Sequence, residues 1–155
     1  MINWINQRFG IHLNVEDLES IKDFALIWNV FERFVCNNNF AIITVQKRNV
    51  QKQLLIADFQ AHYDYFKERY TENGHTNIRL FNNLHFRHND RENFVRQVLL
   101  ANNNSVQEIV LAMTIIVYRF RNNLFHGVKD IQVIHEQRTN FEHANSFLKA
   151  LLAYY

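Results

Sequence analysis

Apolar residues recur along most of this chain at intervals of three and four, the spacing that gives a helix one buried stripe. Leu18, Ile21, Ala25 and Trp28 set the first stripe, widened by Phe24, Ile27, Phe31 and Phe34, and predict a helix over residues 15–35. Asn14 stands where an N-cap belongs, with Glu16 and Asp17 suited to the positive end of the helix dipole. Asn37-Asn38-Asn39 ends this segment. The run Phe40 to Val45 reads equally as a short strand or a helix entry. Val50, Leu54, Ala57 and Ala61, with Phe59, Phe66 and Tyr70 beside them, predict a second helix over 46–70, stopped by Asn73-Gly74.

Residues 74–89 read as a connector in which Ile78, Leu80, Phe81, Leu84 and Phe86 need burial, and a short third helix is expected over 90–101. The clearest start is Ser105-Val106-Gln107-Glu108, a capping box in which serine and glutamate satisfy each other's backbone donors. Ile109, Met113, Ile116 and Phe120 follow at core spacing, and Gly127 is a natural left-handed terminator. Thr139-Asn140-Phe141-Glu142 reads as a second capping box, opening a last helix with the stripe Phe141, Ala144, Leu148 and Leu151. The expected architecture is all-α: an antiparallel bundle of four to five main helices forming a single domain over residues 1–155.

Composition supports this. Among 155 residues, 48% are hydrophobic, 14 are Phe, only 3 are Gly and none is Pro, so a core is affordable and turn-rich β architectures are disfavoured. The net charge of +2 and pI near 8.8 are too mild to imply nucleic-acid binding by themselves. A single cysteine, Cys36, allows no internal disulfide and fits a reducing compartment. The start Met1-Ile2-Asn3-Trp4 lacks a leader-like apolar run, and apolar runs such as Ile115-Ile116-Val117 are far too short for a bilayer. A cytoplasmic protein with no membrane partner is expected.

The most specific chemistry lies in Arg121-Asn122-Asn123-Leu124-Phe125-His126-Gly127. Arginine is a permanent cation whose forked donors suit phosphate oxygens, and histidine exchanges a proton near neutrality. On an ideal helix Arg121 and His126 lie about 140° apart, so they cannot both point at one small substrate. Asn122 and His126 share a face, and Tyr118 continues it. A convergent site requires a bend at the helix end or a second copy of the helix across a two-fold axis. An arginine and a histidine at a helix C-terminus are also ordinary cations facing the dipole.

This segment resembles the signature of the HEPN superfamily, the higher eukaryote and prokaryote nucleotide-binding domains: Arg, a polar residue often Asn, then His after three more, ending a long helix of an all-α bundle. Arg121, Asn122 and His126 match by position. Tyr118 before, and Gly127 and Lys129 after, also look like members with an Arg-Asn-x-x-x-His-Gly pattern. The resemblance is specific over residues 105–130 and architectural elsewhere. It implies a metal-independent endoribonuclease acting as a homodimer, with no cofactor and no metal. His126 would be general base or acid at the ribose 2′-hydroxyl and the leaving 5′-oxygen, Arg121 would stabilise phosphate charge, and Asn122 would position either. A toxin or phage-defence role is implied, with an antitoxin or regulatory partner. In the branch paired with a nucleotidyltransferase a tyrosine stands two positions after the histidine; here it is Val128. The alternative is a non-catalytic module of this kind that binds RNA, a nucleotide or a partner protein.

Other residues are candidates for supporting roles. Glu32 falls at an apolar spacing, where an unpaired carboxylate is costly, and either reaches water at the stripe's edge or pairs with Arg121. Lys129 is a candidate phosphate contact or a solvated lysine. Lys47, Arg48 and Lys52 form a basic turn that is either a solvated face or part of an RNA path. His75, His85 and His88 lack ligand spacing, and no metal site is expected of them. His62, His135 and His143 read as surface residues, and Cys36 as a buried apolar one.

Overall fold

The computed structural model describes residues 1–125 and 136–155. Among them are α1 (Ile2–Phe9), α2 (Val15–Cys36), α3 (Ile42–Val50), a 3-10 turn (Ile56–Asp58), α4 (Gln60–Tyr70), β1 (Thr71–Glu72), β2 (His75–Thr76), α5 (Ile78–Asn82), α6 (Glu92–Leu100), α7 (Val106–Phe125) and α8 (Arg138–Leu152). The fold is all-α apart from one two-stranded antiparallel hairpin. No described helix is long and apolar enough to cross a membrane.

Helix α7 is the centre. Every residue from Ile109 to Val117 is buried, so the helix is enclosed on all sides. Helices α3, α4 and α6 pack against it, while α2 and α8 pack along each other. Phe24, Trp28, Phe31, Phe66, Phe120, Phe141 and Phe147 fill one continuous core. The Ser105 box forms as the sequence predicts. The Ser105 amide donates to Glu108 at 2.7 Å, and the Glu108 amide donates to Ser105 Oγ at 3.3 Å. Those donors hold the Glu108 carboxyl below its usual pKa.

Helix α2 also follows its pattern. Its buried face is Phe24, Trp28, Phe31 and Val35, whereas Phe34 points outward. Asn37 and Asn38 take left-handed φ values of 54° and 65°. Arg48 caps the helix, donating to the carbonyls of Phe34 and Val35 at 2.9 and 3.0 Å. Arg48 and Lys52 also stack over the Tyr155 ring, whereas Lys47 of the same basic turn is exposed. Cys36 is buried, as its type suggests, and burial pushes its thiol up to about 12.

Several expectations fail for tertiary reasons. The helix predicted over 46–70 is two helices, because Leu54 and Phe59 both turn into the core while Val50 stays exposed, which one straight axis does not permit. Phe40–Val45 is a helix entry. Asn73-Gly74 does not stop α4, which ends at Tyr70; both residues have positive φ and form the two-residue turn between β1 and β2. In the connector Phe81 and Leu84 bury, but Ile78 does not. The second capping box is absent: α8 begins at Arg138, whose Nε donates to Glu142 at 2.7 Å, taking the carboxylate that the box needed. Helix α1 was not anticipated. Its Ile2 and Ile5 join Ile11, Leu13 and Leu124 in a small second cluster, against the end of α7.

Helices α4 and α8 meet through polar rings. His62 and His143 face each other with Nδ1 atoms 3.1 Å apart, and the Tyr65 ring stacks on His143 at 3.9 Å and 4°. Both are half-buried rather than surface residues. Burial lowers both pKa values below the ordinary 6.5, while Glu142 works in the opposite direction on His143.

Two outcomes follow. Ser105→Ala should cost about 1 kcal/mol in urea denaturation, because α7 loses its cap. Because the folded histidines hold protons less tightly than the unfolded chain, the pair's stabilisation is full above 6.5 and is lost as pH falls below it. Urea midpoints at about pH 7.5 and about pH 5 should therefore differ less in His143→Gln than in the parent.

Candidate functional site

Helix α7 delivers four polar side chains in succession at its C-terminal end, and the structure separates their roles. Arg119 falls three and four residues after Ile116 and Ile115, on a buried face, and is only 2% exposed. Its Nη1 donates to Asp90 at 2.8 Å in a buried ion pair, its Nε to the Leu84 carbonyl at 3.0 Å and its Nη2 to Asn123 at 3.3 Å. Asn123 in turn donates to the carbonyls of Asn83 and Leu84. Asp90 also accepts the Arg87 amide at 2.7 Å. Burial lowers the Arg119 pKa and the Asp90 charge opposes that shift.

This clamp fixes the segment between α5 and α6 onto α7. The segment includes His85 and Arg91, both in the left-handed region at φ 51° and 55°, a conformation that L side chains resist. It also explains why Asp90 does not begin the third helix: its carboxylate is drawn to Arg119, and α6 starts at Glu92.

Arg121 is half-buried and its Nη1 donates to Asn122 Oδ1 at 3.1 Å. Asn122 is buried at 2% exposure, and among the described residues its Nδ2 has no hydrogen-bond partner. It therefore sits beneath the arginine rather than facing a large substrate directly. Tyr118, one turn earlier, is half-buried and stacks on Phe40 at 4.0 Å and 20°. Tyr118 and Phe40 line a cleft of about 330 Å³ together with Ile43, Asn89 and Arg91.

Glu32 is half-buried, but among the described residues it enters no ion pair, so it does not hold Arg121. Its charge acts on Cys36 instead. His126 and Lys129 lie outside the described residues, as do Gly127 and Val128. His75, His85 and His88 are exposed. Arg121, Asn122 and Tyr118 are thus brought to one end of α7, and Glu32 is not joined to them.

The residues that sequence reasoning missed are Arg119, Asp90, Asn123 and Phe40. A signal for Arg119 existed: a permanent charge inside the otherwise apolar stripe of the most hydrophobic helix implies a buried partner.

Removing that partner should be severe. Asp90→Ala leaves the Arg119 charge buried and should cost about 3–5 kcal/mol in denaturant unfolding. The double variant Asp90→Ala with Arg119→Met should recover part of that loss, and the cycle measures the coupling.

Three comparisons with known proteins give no relative for this chain: no family model matches, no curated protein matches, and no solved structure matches.

Proposed function

We propose that this chain is a metal-independent endoribonuclease of the HEPN type, acting as a homodimer, and that it serves as a toxin or phage-defence effector under the control of a partner. The observation that carries the reading is Arg121-Asn122-x-x-x-His126 at the C-terminal end of a capped, enclosed helix in an all-α fold. The end of α7 carries the negative pole of the helix dipole, which by itself repels phosphate. A fixed guanidinium overcomes that repulsion, and the Asn122 oxygen at 3.1 Å gives the Arg121 fork a defined direction.

In this reading His126 takes the proton from the ribose 2′-hydroxyl, and the histidine of the second copy gives one to the leaving 5′-oxygen. Arg121 stabilises the charge that builds on the phosphate as the internal oxygen attacks. The substrate is RNA because DNA lacks that nucleophile, and the product carries a 2′,3′-cyclic phosphate. The second copy is taken as the way to convergence, because an ideal straight helix would keep Arg121 and His126 about 140° apart.

The test is cleavage of single-stranded RNA by purified protein in excess EDTA. Cleavage should persist under chelation, leave 2′,3′-cyclic ends, and fall by about 10²-fold or more in His126→Ala and in Arg121→Ala, with circular dichroism unchanged. Equal cleavage by His126→Ala rejects the reading. RNA binding without turnover, weakened mainly by Arg121→Ala, would make the chain a binding module instead. A monomer by light scattering at micromolar concentration contradicts the composite site.

A further inference from the structure

We propose that His62 and His143 form a two-histidine chelate for a borderline divalent cation, with Zn²⁺ as the reference ion, which clasps α4 to α8. The two residues are 81 positions apart in sequence, yet their Nδ1 atoms meet at 3.1 Å. Zinc–nitrogen bonds of about 2.0–2.1 Å place two ligand nitrogens about 2.9 Å apart at a right angle and about 3.4 Å apart at the tetrahedral angle. The observed separation lies inside that bite.

The donors are held by packing. The His143 ring lies flat on Tyr65 at 3.9 Å and 4°, and the Tyr65 hydroxyl donates to Asn140 Oδ1 at 2.7 Å. The edge of Phe66 closes on the same ring at 6.5 Å and 62°. The two imidazoles are crossed at 77°, with ring centroids 5.4 Å apart. A direct hydrogen bond uses one lone pair and one N–H. A cation between them uses both lone pairs, with the N–H of each ring moved to Nε2.

The chemistry selects the ion. Two imidazoles suit zinc, nickel and copper, whereas magnesium and calcium prefer oxygen. No described cluster supplies three or more His, Cys, Asp or Glu ligands, so water or an exchangeable ligand completes the coordination. Both histidines are half-buried, so neither is sealed from solvent. The site is carried by α4 and α8, and its role is to staple them. It does not depend on the α7 motif, whose chemistry needs no metal.

The experiment uses the full chain, stripped with EDTA, dialysed, and titrated with ZnCl₂ by calorimetry and by thermal unfolding. One zinc per chain should bind, and the melting temperature should rise with zinc because only the folded state brings the two ligands together. MgCl₂ should give no shift. His62→Gln and His143→Gln should each weaken binding about tenfold or more and remove the melting shift. Replacing the exposed pair His85 and His88 with Gln should leave both unchanged. Absence of zinc binding in the parent, or equal binding by both single variants, overturns the proposal. If either variant is unfolded by circular dichroism, the other decides, supported by zinc titration of the parent at about pH 5, where protonated imidazoles should no longer bind.

Discussion

A helix that is apolar on every side has no stable place on a surface. From Ile109 to Val117, α7 offers no water-facing side chain, so the neighbouring elements are arranged to enclose it. Helices α3, α4 and α6 pack directly on it, and the paired α2 and α8 complete the core through Phe24, Phe141 and Phe120. Its beginning is fixed by the Ser105–Glu108 box, and its end emerges against the small cluster under α1. The helix is held by its capped start and around its girth.

The Arg119–Asp90 pair is the polar counterpart of that enclosure. A charge taken into the core must be matched, and here the match is an aspartate from the segment before α6 plus the Leu84 carbonyl and Asn123. The pair ties a loop with two left-handed non-glycine residues to the central helix. It also separates two neighbouring arginines into distinct tasks. Arg119 is structural because it lies three and four residues beyond the buried Ile116 and Ile115; Arg121, two residues further around the helix, is half-buried and donates to Asn122.

The proposed site and the histidine pair differ in how readily a sequence announces them. Arg121, Asn122 and His126 lie within six consecutive residues, so their spacing is visible in one line of text. His62 and His143 are on helices far apart in sequence, and no local spacing joins them. The connector histidines drew attention because they are close in sequence, although all three are exposed. Glu32 attracted a pairing with Arg121 because its position in the stripe looked costly; half-burial at the stripe's edge removes that cost, and no pair is needed.

Local pattern determined the all-α class, the limits of α2, the capped start of α7 and the buried stripe of α8, because side chains three and four apart must share a face whatever surrounds them. It also marked Arg121, Asn122 and Tyr118 as neighbours on one helix. Tertiary structure decided everything that depends on which face meets what. It broke the 46–70 segment so that Leu54 and Phe59 both reach the core, made Asn73-Gly74 a hairpin turn, and gave Glu142 to Arg138. It drew Asp90 to Arg119, placed Asn122 beneath Arg121, and brought His62 against His143. The reason is common to all of these: burial and charge pairing are settled between segments distant in sequence, and no local spacing encodes them.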